Sequence, residues 1–191
     1  MTKRQYRLKK RAESQAETRQ KIIEATIELH QTKGPGSTSM ADVAKQAGVG
    51  KVTVYRHFPD EPALSQACSG LYFQRHPFPD PETWRAIADP LERLRHGLNE
   101  TYAYHAETHQ MISHALADAR DHPVMQPYHA LWEGAAEIIL DAWLPRDDDT
   151  ALRAALVLAL SFDTWRTLVQ EQGLSQNEAV ALMERLMCGC G

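Results

Sequence analysis

The stretch Ser39-Met40-Ala41-Asp42-Val43-Ala44-Lys45-Gln46-Ala47-Gly48-Val49-Gly50-Lys51-Val52-Thr53-Val54-Tyr55-Arg56-His57-Phe58 decides how this chain folds. Ser39, followed three residues on by Asp42, is an acidic variant of the capping box; it opens a short helix that Gly48 stops. After Gly48-Val49-Gly50 a second short helix runs from Lys51 to Phe58, where Pro59 ends it. The spacing of Ala44, Gly48 and Val54 fits two helices that cross at a tight turn. Ala44 permits the close approach, Gly48 takes the left-handed backbone conformation, and Val43, Val49 and Val54 face a shared interior. The pattern predicts a helix-turn-helix.

Outward from this stretch the charge divides. Residues 1–60 hold 12 Lys and Arg against 6 Asp and Glu, a net of +6, whereas residues 61–191 hold 9 against 19, a net of -10. The overall charge of -4 over 191 residues hides this division. A basic head on an acidic body points to a head that meets a polyanion and a body that does not. Within the head, Lys3, Arg4, Arg7, Lys9, Lys10 and Arg11 lie among few apolar residues and predict a flexible arm over 1–17. Helical periodicity starts near Thr18, where Ile22, Ile23, Thr26, Ile27 and Leu29 make one face of a helix of about four turns. Gly34-Pro35-Gly36 ends it, so the DNA-binding domain is placed at 18–60.

Downstream, Asp60-Glu61-Pro62 starts a connecting helix over 61–74, broken at His76-Pro77-Phe78-Pro79-Asp80-Pro81. The remaining body, 75–191, resolves into helices at Leu91 to about His105, Gln110–Ala119, Tyr128–Trp143, Thr150–Gln172 and Ser175–Met187. Ser175 with Glu178 is a second capping box. No stretch alternates with period two between hairpin turns, and no internal repeat is present. The fold class is all-α, with an N-terminal three-helix DNA-binding domain and a larger C-terminal helical domain.

In a helix-turn-helix the second helix enters the major groove while its flanks hold phosphate. Lys51 can reach a guanine edge or a phosphate, and Val52 can touch a thymine methyl. Thr53, Tyr55 and His57 can donate to phosphates or bases, with Arg56 beside them. Ser39 and the amides opening its helix, from Met40 on, can hold phosphate, and Gly50 stands at the cap of the recognition helix.

The same residues resemble the tetracycline-repressor-like (TetR) transcriptional regulators, specifically over about residues 18–70 and in length and helical layout over the whole chain. The resemblance implies phosphate-binding roles for Thr53 and Tyr55, and a base or phosphate contact for Lys51. Two positions depart from the family's habit: Gly50 stands where Ser is usual, and Val52 where Gly is usual. The first removes a capping hydroxyl and the second puts an apolar group toward the groove, so the operator is expected to differ from typical ones. In relatives, basic arms such as Lys3 to Arg11 sometimes add minor-groove or phosphate contacts.

A single helix-turn-helix covers too little DNA for useful specificity, so a homodimer on a palindromic double-stranded operator is expected. The C-terminal helices supply candidate interface residues Leu152, Leu156, Leu160, Leu182, Met183 and Leu186, which suit an intermolecular four-helix bundle; the same faces can also pack within one chain. The resemblance implies dimerisation through the last two long helices and an effector pocket in the body. Candidate lining residues for an apolar or aromatic small molecule are Tyr102, His105, Met111, Met125, Tyr128, Trp132 and Trp165. Such a molecule would release the DNA, most simply by shifting the helix that begins near Asp60.

Other readings are weaker. His105 and His109 have the spacing of two metal ligands, but nothing clearly completes the shell, and no metal or cofactor is expected. Cys188 and Cys190 sit at a frayed end, and Asp147-Asp148-Asp149 reads as a solvated loop. The longest apolar run, Ala154 to Leu160, falls far short of a membrane span, and the first twenty residues lack a signal-peptide pattern; a cytoplasmic protein is expected. No phosphate-cradling glycine loop or nucleophile elbow supports an enzyme. The alternative to a ligand-responsive repressor is a helical ligand-binding or enzymatic bundle whose basic N-terminus serves another contact.

Overall fold

The computed structural model describes residues 3–120, 123–143 and 150–188. Within these the chain is helical and has no strand. It divides into two compact units: Met1–Arg75 with Gln110–Val124, and His76–His109 with Met125–Gly191. The expectations at Asp147-Asp148-Asp149 and Cys190 fall outside the described residues.

The first unit holds α1 (Lys3–Lys33), α2 (Met40–Gln46), α3 (Lys51–His57), α4 (Glu61–Arg75) and the last turns of α5 (Pro90–Ala119). Instead of a flexible arm over 1–17, the chain is helical from Lys3 onward. Lys3 to Lys33 contains neither Gly nor Pro and is rich in Lys, Arg, Gln, Glu and Ala, all good helix formers. Pairs one turn apart add to this, such as Lys9–Glu13 at 3.8 Å and Gln20–Glu24 at 3.0 Å. Gly34, at φ 86°, ends the helix. It serves twice, because a Cβ there would also lie 2.5 Å from Asp118 Oδ2. That carboxylate accepts a 2.8 Å hydrogen bond from the Gly36 amide and fastens the turn between α1 and α2. The unit's core joins Ile22, Ile23 and Ile27 of α1 to Val43, Val54, Phe58, Leu64 and Met111.

The second unit is built on α5. The sequence suggests a break between His105 and Gln110, yet no Gly or Pro interrupts residues 106–109, and one helix runs through. Trp84, in the 3-10 turn Pro81–Ala86, is fully buried and donates its indole N–H to Glu100 at 2.6 Å. Arg93, 7% exposed, donates to the carbonyls of Ile87, Ile138 and Arg85, so one guanidinium satisfies backbone groups at the ends of two elements. Against α5 packs α6 (Gln126–Leu140), followed by the 3-10 turn Asp141–Trp143.

The expected single helix over 150–172 is divided. α7 (Thr150–Leu160) stops at Ser161, whose extended backbone and side chain cap α8 (Phe162–Trp165); α8 continues as a π-helical segment, Arg166–Glu171. The break frees two carbonyls, and α5 captures both: Tyr102 Oη donates to Ala159 O, and His105 Nε2 donates to Leu160 O, each at 3.0 Å. α9 (Gln176–Cys188) starts at the foreseen capping box, with Ser175 Oγ donating to Glu178 at 2.6 Å.

Two glycines test this packing. A Cβ at Gly97 of α5 would meet Trp84 Cζ3 and Ile139 Cδ1 at 3.0 Å, whereas one at Gly70 of α4 meets nothing within 4 Å. Trp84 is held by Glu100 and cannot swing away. Gly97→Ala is expected to lower the thermal midpoint, because overpacking of about 1–3 kcal/mol outweighs the ~1 kcal/mol gain in helix propensity. Gly70→Ala is expected to raise it. Thermal unfolding followed by circular dichroism measures both, and a stabilised Gly97→Ala would mean that the Trp84 contact yields.

Candidate functional site

The turn between α2 and α3 follows from local chemistry. Ser39 Oγ accepts from the Asp42 amide at 3.2 Å, and the Asp42 carboxylate accepts from the Ser39 amide at 3.0 Å and from its hydroxyl at 2.6 Å. The Ser39 hydroxyl and amide, together with Lys33 at 3.0 Å, hold the Asp42 carboxyl well below the usual carboxylate range. Gly48, at φ 65°, ends α2, and the Val49 amide closes the turn on Ala44 O at 3.0 Å. Gly50 then occupies the N-cap of α3 with no side-chain cap.

α3 turns Val54 inward at 0% exposure, with Phe58 just beyond its end at 2%. Its outer face carries Lys51, Val52, Tyr55 and Arg56. Val52 is 84% exposed, the most exposed of the large apolar side chains among the described residues, and Tyr55 is 45% exposed with Lys51 Nζ 5.9 Å from its ring centroid. Thr53 and His57 are half-buried. Burial, then the charges of Arg56 and Arg19, lowers the His57 pKa, and its Nε2 is covered. A groove of about 450 Å³ lined by Arg7, Lys10, Arg11, Ser14, Gln15 and Arg56 joins α1 to this helix.

The candidates from the helix-turn-helix therefore separate. Lys51, Val52, Tyr55 and Arg56 share one exposed face, with Thr53 beside them. Met40 is 3% exposed and belongs to the core, so its side chain cannot serve as a contact; only its backbone could. The Ser39 hydroxyl is already engaged with Asp42. The groove on α1 escaped the sequence reading because a stretch dense in charge was read as coil.

In the second unit, His105 is the centre of a buried ring cluster. Its centroid lies 5.0 Å from that of Trp132, 5.5 Å from Phe162 and 6.0 Å from Trp165. Tyr104 and Tyr128 extend the cluster at 5.7 and 5.9 Å from Trp132, and Phe78 lies 5.1 Å from Tyr104. His105 Nδ1 and the indole N–H groups of Trp132 and Trp165 are buried without a hydrogen-bond partner. Five of the ligand candidates thus come together: Tyr102, His105, Tyr128, Trp132 and Trp165. Met111 does not join them; it belongs to the core of the first unit. Met125 is buried in the second unit but is not part of the ring cluster. Phe162 and Phe78 were missed, the first because the helix break at Ser161 was not foreseen. His109 Nδ1 donates to Ala106 O at 2.9 Å, and no group of three metal-binding side chains occurs among the described residues.

The proposed interface leucines also divide. Leu152, Leu156, Leu160 and Met183 are 0–8% exposed, and Leu182 is half-buried. They pack within the chain. Large apolar side chains exposed on the described residues of α7 and α9 are Val157 at 38%, Leu158 at 64% and Leu186 at 55%. No described helix is long and apolar enough to cross a membrane.

Two short helices crossing at a glycine turn, the second carrying an exposed basic face, define a helix-turn-helix protein. Residues 22–68 match the sequence model of the tetR family of bacterial regulatory proteins. The chain is 42% identical over 48 residues to the HTH-type transcriptional regulator AcrR of Shigella flexneri; the match spans 25% of this chain and 22% of that protein's length. Its fold resembles that of a TetR-like transcriptional regulator from a Rhodococcus species, at a TM-score of 0.58 and 19% identity over 89% of this chain and 93% of that one. It also resembles FadR from Bacillus subtilis, solved in complex with stearoyl-CoA, at a TM-score of 0.57 and 17% identity over 88% and 96% of the two chains. Over residues 22–68 the chain is thus similar to the tetR family of bacterial regulatory proteins.

Burial lowers the His105 pKa to about 4, opposed by the bond to Leu160 O, and burial lowers that of His30 to about 4, opposed by Asp118. Unfolded imidazoles take up protons near pH 6.5, whereas these two resist until about pH 4. Their contribution is therefore complete above pH 6.5 and is lost as the pH falls toward 4. The thermal midpoint is expected to be level from pH 8 to 7 and to decline below 6.5. His105→Gln should flatten the decline by on the order of 2–3 kcal/mol between those limits. An unchanged pH profile in that variant would refute the assignment.

Proposed function

We propose that the chain is a homodimeric transcriptional regulator that binds a palindromic operator through α3 and is released by a small apolar or aromatic effector held in its C-terminal helical domain. The observation that carries the DNA reading is the outer face of α3. An apolar Val52 at 84% exposure, flanked by Lys51, Tyr55 and Arg56, is costly in water and useful against base edges and phosphates in a major groove. Lys51 takes a guanine edge or a phosphate, Val52 a thymine methyl, and Thr53, Tyr55 and Arg56 the flanking phosphates. His57, half-buried at the end of α3, takes a minor part. A Cβ at Gly50 would meet nothing closer than Thr53 Oγ1 at 4.0 Å, so the chain itself has room for a side chain at the entry to α3.

Support for an effector comes from the ring cluster around His105. It offers flat apolar surfaces, two indole donors and one imidazole acceptor, which suits a compact neutral molecule with both a donor and an acceptor. FadR of Bacillus subtilis, of similar fold, is seen with stearoyl-CoA. Repression is proposed on the habit of the family.

Support for a dimer comes from α7 and α9, which touch within the chain and still leave Val157, Leu158 and Leu186 outward. A pair of such faces would form the four-helix contact. Leu158→Glu is expected to shift the mass measured by light scattering from dimer to monomer. A wild-type monomer, or an unmoved Leu158→Glu dimer, would refute this face.

Fluorescence anisotropy with the DNA preceding the protein's own coding sequence tests the recognition helix. Lys51→Ala and Tyr55→Phe should each weaken binding by about 1 kcal/mol or more, roughly fivefold. Binding that survives both substitutions unaltered would reject α3 as the reading element.

A further inference from the structure

We infer that the ring cluster around His105 is selective for a neutral hydroxylated aromatic molecule, whose hydroxyl donates to His105 Nδ1 and accepts from the indole N–H groups of Trp132 and Trp165. The inference rests on the proposal that this cluster holds the effector and deepens it by naming the chemical class.

The polarity of the site follows from one bond. Leu160 O is a carbonyl and can only accept, so its 3.0 Å contact with His105 Nε2 places the imidazole proton on that nitrogen. Burial keeps the ring neutral, and Nδ1 is left with a lone pair alone. His105 has no exposed surface, Trp132 is 5% exposed and Trp165 2%. Nδ1 and both indole N–H groups lack a partner, and the two indole rings lie 5.0 and 6.0 Å from the imidazole centroid. One buried acceptor and two buried donors thus sit side by side on α5, α6 and α8, where each is costly while unpaired.

A hydroxyl is the complement of that set, with one hydrogen to give and two lone pairs to offer. Other groups match it less well. A carboxylate or phosphate only accepts, so it would turn a lone pair toward Nδ1 and lie buried without a counter-charge. The rings around His105 belong to Tyr102, Tyr104, Trp132, Phe162 and Trp165, none of them a cation. An ether or ketone satisfies the indoles and leaves Nδ1 unmet, whereas an ammonium donates to Nδ1 and leaves the indoles unmet. The surroundings choose the rest of the molecule. Phe162 stands edge-on to His105 at 86° and Trp132 at 64°, an arrangement that a further flat ring continues.

Calorimetric titration of the full-length protein with phenol, toluene and benzoate tests this. Toluene has the shape of phenol with a methyl for the hydroxyl, and apolar transfer alone ranks it first. The site should reverse that order, with phenol bound at least about tenfold more tightly and benzoate not measurably. Trp132→Phe and Trp165→Phe keep a ring in place but remove one donor each. Each should weaken phenol by about fivefold and leave toluene unchanged, which separates a lost donor from damaged packing. 4-Nitrophenol adds a spectroscopic signature, because near neutral pH it is divided between colourless phenol and yellow phenolate. Binding should bleach the yellow band. Toluene or benzoate held as tightly as phenol, a bound phenolate, or indole variants that weaken toluene as much as phenol would overturn the hydroxyl assignment and leave an apolar site standing. If none of the three compounds binds, the cluster is not an effector site, and the reading on which the inference rests fails with it.

Discussion

The body of this protein depends on one face of α5. Leu94, Leu98, Tyr102 and His105 follow one another at helical spacing and have no exposed surface, and each neighbouring element is tied to that helix by a specific interaction. Trp84 reaches Glu100, Ile139 of α6 closes on Gly97, Tyr102 and His105 hold the end of α7, and the Gln176 side chain of α9 donates to Asn99 O. Most of these ties are polar groups inside an apolar setting. They contribute little net energy when paired and become expensive when broken, so they fix the register of the helices while apolar burial supplies the driving force.

The break between α7 and α8 illustrates this division. Interrupting a helix leaves carbonyls without partners, and at Ser161 two of them are satisfied from outside the helix by Tyr102 and His105. His105 needs its proton on Nε2 to do so, and burial keeps the ring neutral. The same requirement leaves Nδ1 facing the aromatic rings without a partner. A packing solution at one edge of the ring thus creates chemical opportunity at the other.

How much of this was legible in the sequence differs from place to place. The helix-turn-helix was readable because its signals are local: Ser39 with Asp42, Gly48, and the alternation of Val54 and Phe58 against Val52 and Tyr55. The arm was misread because charge masked good helix formers. The inward side of α7 was hidden for another reason. Ala154 to Leu160 is apolar all round, so no periodicity tells core from surface, and Leu156 and Leu158 differ only in what happens to lie beside them. Met111 was assigned to the wrong neighbours because α5 contributes to both compact units within its own length. Apolar character announces burial, and the partner in burial is a property of the tertiary structure.

α3 has seven residues, three of them β-branched, and a helix so short does not persist unaided. Its shape is lent to it by Val54 and Phe58, which never meet the solvent. A genetic screen for loss of DNA binding would accordingly collect changes at Val54, Phe58 and Gly48 as readily as at Lys51 or Tyr55. Without a parallel measure of protein abundance, such a map would outline the hydrophobic core of the domain and mistake it for the surface that touches DNA.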